Sequence, residues 1–367
     1  LNVLKAYQAI AQDNSTRFVN FARSRPVLAK GATGPLEGDL HSAQYFHGRD
    51  GLSGITERHP ELNVISDEFS QLRISSRSGA QETLDILREY HERSITYVAL
   101  GPMTNLALLL RSDAQLVRER IGRVIAMGGA LDVPGNTSPV AEFNFFADPF
   151  AVKELLLNPD KGLPLDRFLL LPLDITTPHE LPFELYKWYV DPDFQDSSVA
   201  ISGKPPISRF TSAFLERTRE IMLQFGKDAM ELHDIVAVWC AIENPPYPDA
   251  SEKNFNLQEG WKAMPRLFDI ERYGELTRGM LVVDRRDDES AYHSGAIRSE
   301  VQKQKDFADV SRHLPKNRVP VRVEVEMEDA THTNDVGVPC VVQTPGPSAL
   351  LRLLLQRVWG VDVPYHI

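Results

Sequence analysis

The segment Gly135-Asn136-Thr137-Ser138-Pro139-Val140-Ala141-Glu142-Phe143-Asn144 packs two amides and a carboxylate into one loop. Asn136, Glu142 and Asn144 together offer donors and acceptors suited to the vicinal hydroxyls of a sugar, because each hydroxyl wants one of each. The same residues also fit a turn rich in Asn, Gly and Pro followed by a helix cap. Further along, Leu232-His233-Asp234 precedes an apolar stretch, Ile235 to Ile242. Asp234 reads either as the N-cap of that helix or as a carboxylate able to bind a hard cation. In the second reading His233 is an imidazole able to donate a proton to a leaving group.

Other polar segments are less specific taken singly. His47-Gly48-Arg49-Asp50-Gly51-Leu52 lies in a loop with Gly48, Gly51 and Gly54. Those glycines permit positive φ and a close backbone approach to a ligand, and they equally suit a surface turn. Gly101-Pro102-Met103-Thr104-Asn105 joins an apolar run to a helix, so Thr104 either caps the helix or presents its carbonyl to a cation. Asp174 and the turn Gly274-Glu275-Leu276-Thr277-Arg278-Gly279 fit ordinary loop chemistry as well as a site. Asn136-Thr137-Ser138 is also a glycosylation sequon, which a reducing compartment leaves unused.

These segments need a scaffold, and the hydrophobic pattern supplies one. Short β-branched runs alternate with longer helical stretches, as in a mainly parallel sheet with helices packed on it. Ile95 to Leu100, Arg123 to Met127 and Phe168 to Leu173 read as buried strands. Gln81 to Glu92, Asn105 to Leu110 continuing to Arg120, and Pro149 to Leu157 read as helices, as do Phe210 to Leu223, His233 to Ile242 and Ser348 to Val358. The fold class expected is α/β. Each strand ends in turn-forming or polar residues, and ligands of open α/β sheets sit beyond those ends. Asn244 to Pro265 and Arg285 to Asp335 break the rhythm and are expected to be peripheral. The second holds one alternating strand, Val319 to Val325, with Met280 to Asp284 as its expected hairpin partner.

A composition of 42% hydrophobic and 25% charged over 367 residues is that of a globular chain able to bury a sizeable core. An excess of 51 acidic over 40 basic residues gives a formal charge of −11, which argues against nucleic acid or anionic membrane as a partner. No run of about 18 apolar residues occurs. Cys240 and Cys340 make neither a disulfide framework nor a zinc cluster, so the expected compartment is the reducing cytoplasm.

Taken in order, Val98-Ala99-Leu100-Gly101-Pro102-Met103-Thr104-Asn105-Leu106-Ala107, Met127-Gly128-Gly129, and the Gly135 to Asn144 loop with Ala147-Asp148-Pro149 resemble the inosine/uridine-preferring nucleoside hydrolases. His47 to Gly54, Pro172 to Thr176, Leu232 to Asp234, and Leu276 to Gly279 with Val282 to Asp284 extend the resemblance over roughly residues 1 to 284. It implies an open, mainly parallel sheet with helices on both faces, and hydrolysis of small-molecule ribonucleosides to ribose and free base. It also implies calcium, which in such enzymes binds the ribose 2′ and 3′ hydroxyls and lowers the pKa of a water. An aspartate takes the water's proton, and ribose passes through an oxocarbenium-like state. Carried over by position, Asn136, Glu142 and Asn144 would grip ribose, the Thr104 carbonyl and Asp234 would bind calcium, His233 would assist base departure, and His47 would lie near the substrate. Such proteins commonly form homo-oligomers.

One departure stands out. The family's D-x-D-x-x-x-D-D cluster, which supplies most calcium carboxylates and the general base, occurs nowhere in the chain. The chain opens Leu1-Asn2-Val3-Leu4, without methionine, and this start resembles the helix after the family's second strand. The expectation is an incomplete chain; the rival is a lineage that lost the base and kept a ribosyl-binding or scaffold role. Another alternative is hydrolysis of a different N-riboside, such as a nicotinamide-type nucleoside. Residues 1–367 are then a single domain lacking its N-terminal strands, with an insertion at 285–335. That domain is expected to be inactive as it stands and poorly stable, because loss of a central strand exposes ladder groups on its neighbours.

Overall fold

In the computed structural model, which describes residues 2–13, 16–21, 23–64, 72–195, 203–246, 257–283 and 337–364, the apolar runs become strands as their pattern requires. Among the described residues the strands are β1 (Val27–Lys30), β2 (Arg73–Ser78), β3 (Ile95–Ala99), β4 (Ile121–Met127), β5 (Phe168–Leu171) and β6 (Glu180–Pro182), then β7 (Ala229–Glu231), β8 (Lys262–Arg266), β9 (Asp269–Ile270), β10 (Leu281–Val282) and β11 (Val338–Gln343). The main sheet has the order β3-β4-β5-β11-β8. Its first four strands run parallel and β8 closes the edge antiparallel.

Strand alternation explains why helices cover both faces. Val124, Ala126, Phe168 and Leu170 point into one core, with Leu106, Leu109, Val152 and Leu155 from the helices Thr104–Ser112 and Pro149–Leu156. Their neighbours Ile125, Met127, Leu169 and Leu171 point into the other, with Val236, Ala237 and Cys240 from the helix His233–Glu243. Every residue of β4 and β5 is buried, and each large apolar side chain there contributes roughly 1.5–3 kcal/mol. This is the open α/β sheet expected. β3 is only half-buried, and among the described residues its outer edge pairs with no strand. β1 and β2 form a separate parallel pair, tied to the main body where the Ala32 amide donates to Asn105 Oδ1 at 2.7 Å.

Helix ends follow local chemistry. The first helix of the expected set runs Gly79–Glu89, because Ser78 and Gln81 form a reciprocal capping box at its start. The expected helix through Arg120 is two, Thr104–Ser112 and Ala114–Arg120, split at Asp113, whose carboxylate caps the second. Pro206 opens the helix that ends at Gln224, four residues earlier than Phe210, since proline suits a first turn. The last helix, Pro347–Leu354, passes into a π-turn, Leu355–Trp359.

One expectation changes. Asn244 to Pro265 is not wholly peripheral: Lys262 to Pro265 belong to β8, which pairs with β11, and Trp261 is buried. Its prolines disguised an edge strand, where proline is tolerated. Leu281–Val282 pair antiparallel with Asp269–Ile270. The expected strand Val319 to Val325, and the insertion 285–335, lie outside the described residues.

Candidate active site

The loops beyond β4 and β5 are assembled around two carboxylates. Glu142 is the N-cap of the short helix Phe143–Ala147. Its Oε2 accepts from the amides of Gly129 (2.8 Å) and Phe145 (3.1 Å), and its Oε1 from the Asn144 amide (2.8 Å). Gly129 has φ +81°, and a Cβ there would meet Leu281 and Phe145, so only glycine brings this amide to Glu142. Burial raises the Glu142 carboxyl pKa, against the three amides and the nearby His233 imidazole. From the other side, Asp174 accepts from the amides of Leu131 (2.9 Å) and Asp132 (2.7 Å). The turn after β4 is thus held between an acid of the Asn136 loop and an acid following β5.

The residues of the Asn136 loop converge in part. Asn144 is buried and donates Nδ2 to the Met127 carbonyl at 3.0 Å, which leaves its Oδ1 as acceptor. Asn136 is exposed; its Oδ1 accepts from the Phe143 amide at 2.9 Å, and its carbonyl from the Tyr45 hydroxyl at 3.4 Å. Arg278 braces the same segment, donating Nε to the Phe146 carbonyl at 2.9 Å. Thr104 opens its helix, and its Oγ1 donates to Asp148 Oδ2 at 2.6 Å rather than capping.

His233 and Asp234 sit at the first turn of their helix, where Leu232 is the N-cap and no side-chain cap is made. Asp234 is therefore not serving as the N-cap. It is open to solvent on one side, while desolvation by the protein raises its carboxyl pKa against the pull of His233. The His233 Nδ1 lies 2.8 Å from Thr176 Oγ1 and its Nε2 lies 2.9 Å from Glu231 Oε2. Glu231 also accepts from Lys227 Nζ at 2.6 Å, and its carboxyl is pulled down to about 2, with the His233 hydrogen bond the largest cause. Sequence spacing did not single out Glu231 or assign a role to Thr176; a glutamate two residues before the histidine was the available signal.

His47 stands apart. It ends the one-turn helix Gln44–His47, exposed, with its ring edge-on to Phe46 at 4.9 Å, and desolvation lowers its pKa. Among the described residues no hydrogen bond joins it to Glu142, Asn144 or His233. The described residues also contain no group of three or more His, Cys, Asp or Glu that could hold a metal ion.

This arrangement of loops beyond parallel strands agrees with known proteins. The family model described as inosine-uridine preferring nucleoside hydrolase matches residues 5–327. The pyrimidine-specific ribonucleoside hydrolase RihA of Shewanella oneidensis is 30% identical over 276 residues, covering 72% of this chain and 70% of that protein. RihA of Klebsiella pneumoniae is 31% identical over 258 residues, 70% of this chain and 69% of its own length. In fold, an inosine-guanosine nucleoside hydrolase superposes with a TM-score of 0.58 at 20% identity, covering 95% of this chain and 86% of that one. The purine-preferring ribonucleoside hydrolase from Gardnerella vaginalis gives 0.56 at 18%, covering 90% and 79%. The chain belongs to the inosine-uridine preferring nucleoside hydrolase family, the N-glycosyl hydrolases of ribonucleosides.

Proposed function

We propose that the site binds a free ribonucleoside with ribose against Asn136, Glu142 and Asn144 and the base toward His233. What supports this reading is that Gly129, just after β4, holds Glu142, while Thr176, in the turn after the neighbouring β5, holds the His233 imidazole, so carboxyl and imidazole are anchored at the ends of adjacent strands. As the C1′–N bond lengthens, its electron pair leaves with the base and His233 gives the base a proton. Positive charge then develops on the ribose ring and a water adds at C1′. The water's proton needs an acceptor, and the aspartate cluster that serves the family is missing from residues 1–367. Hydrolysis by this stretch alone is therefore expected to be absent.

Calcium, where bound in such enzymes, orients the ribose hydroxyls and acidifies a water. The Thr104 carbonyl and Asp234 would contribute two oxygens where calcium takes about six to eight. The described side chains therefore do not make up a calcium site by themselves. We place the protein in the cytoplasm, because Cys240 and Cys340 are both buried and unpaired, as suits a reducing compartment. No helix among the described residues is long and apolar enough to cross a membrane. A formal charge of −11 supports a small-molecule substrate over nucleic acid. We treat the chain as one domain carrying an insertion at 285–335, and leave self-association to direct measurement.

The test is release of reducing sugar from uridine and inosine with added calcium. It compares residues 1–367, their Asp234→Ala variant and a form extended upstream by an aspartate-bearing strand. Activity only in the extended form supports the proposal. Activity of 1–367 that disappears in Asp234→Ala means another residue replaces the base. No activity in a well-folded extended form sinks the hydrolase reading and leaves a ribosyl-binding role.

A further inference from the structure

His233 is held from both sides, and the two sides differ. Thr176 is fully buried, so the nitrogen it meets, Nδ1, faces the protein. The other nitrogen, Nε2, meets Glu231, and both His233 and Glu231 remain partly accessible, at 18% and 24% of their side chains. A departing base can be served only through a nitrogen it can reach, and that nitrogen is Nε2. Glu231 occupies it.

The Glu231 carboxylate is itself fixed by the sheet. Glu231 lies on β7 directly opposite Glu180 on β6, and Lys227 bridges the two acids. Lysine between two paired glutamates holds the Glu231 side chain in one place, so its free oxygen meets the imidazole at a set point. An imidazole with a carboxylate on one nitrogen and a hydroxyl on the other is locked in orientation, and it can carry a proton on both nitrogens because the carboxylate and the hydroxyl oxygen both accept.

We propose that Glu231 is the positioning residue for His233, keeping a proton on Nε2 and aiming that N–H at the edge of the cleft. This rests on the reading of His233 as proton donor to the leaving base. In the step, the ring starts with a proton on each nitrogen, Nδ1–H donating to Thr176 Oγ1; the electron pair of the C1′–N bond goes to the base nitrogen, the Nε2 proton follows it, and the neutral ring keeps its proton on Nδ1. Water supplies the hydroxyl to C1′, and Nε2 regains a proton from solvent. Glu231 never touches the substrate; it yields its hydrogen bond as the base arrives.

Two measurements test this. In residues 1–367, NMR at one fixed pH should show a slowly exchanging imidazole Nε2–H, assigned by its loss in His233→Gln. The signal should persist in Glu231→Gln, whose amide oxygen still accepts, and vanish in Glu231→Ala, with circular dichroism confirming that each variant is folded. In the aspartate-extended form, Glu231→Ala should lower kcat for uridine by about tenfold or more, with KM little changed. Hydrolysis of 4-nitrophenyl riboside, whose leaving group departs without a proton, should be unaffected, and Glu231→Gln should recover most of the uridine rate. Survival of the N–H signal in Glu231→Ala, equal losses on both substrates, or a glutamine variant as poor as alanine would overturn the proposal. If the extended form turns over neither substrate, the hydrolase reading fails, and the imidazole signal alone decides the role of Glu231.

Discussion

Thr104 Oγ1 donates to Asp148 Oδ2 at 2.6 Å, joining two buried side chains from different loops of the site. Asp148 also caps the helix Pro149–Leu156 through the Ala151 amide and accepts from the Leu36 amide at 2.9 Å. One carboxylate therefore ties the end of β3, the start of a core helix and the chain after β1. Asp148→Ala strands three donors, those of Thr104 and Ala151 buried, and should cost about 2–4 kcal/mol in urea unfolding. Thr104→Val removes one bond and should cost about 1 kcal/mol. Equal costs for the two would contradict this hub.

Glu142 carries a pH signature. Its folded-state pKa is raised, chiefly by burial, so its contribution to stability is fully present below the ordinary value of 4.5. That contribution is lost as pH rises through the raised value. The native chain should therefore gain on Glu142→Gln as pH is lowered from neutrality toward 4.5. Urea midpoints of the two proteins across that range check it, and a constant difference would count against a buried ionisable carboxyl.

Asp50 behaves in the opposite sense. Burial alone would raise its carboxyl, but the amides of Thr56, Leu52 and Gly54 outweigh burial and hold it at about 2. Stability from this group is present above the ordinary 3.8 and is lost as pH falls toward 2. Asp50 closes the loop that carries His47, so Asp50→Ala should cost about 2 kcal/mol near neutrality from its amide bonds. The cost should shrink in acid, and hydrogen exchange should speed up across residues 47–56.

Glu243 accepts from the indoles of Trp239 (2.6 Å) and Trp261 (2.7 Å), whose rings lie 4.8 Å apart. Removing the carboxylate leaves two largely buried N–H donors without an acceptor. Glu243→Ala should cost about 2–4 kcal/mol and red-shift tryptophan emission. An unchanged spectrum would mean that the indoles have other partners.

The sheet was legible where one strand carries its own signature. Val124 to Met127 and Phe168 to Leu171 are apolar on both faces, which only a strand covered by helices on both sides allows. β11 and β8 escaped notice because Pro339 and Pro265 interrupt short runs, and their pairing joins segments some seventy positions apart in the chain. The polar residues of the site were visible as types: Asn136, Glu142, Asn144, His233 and Asp234 lie in short stretches whose spacing is local.

Their roles were not local. Thr176 and His233 are 57 positions apart, and Glu142 and Gly129 are 13 apart across a turn. Amino-acid order determined which groups exist, how strands alternate and where helices begin, because those follow from backbone sterics and periodicity within a few residues. Tertiary structure decided that Glu142 spends its oxygens on three amides and that Glu231 holds His233. Such partnerships depend on which strand ends the crossovers bring side by side, and on which polar groups, once buried, have to find each other there.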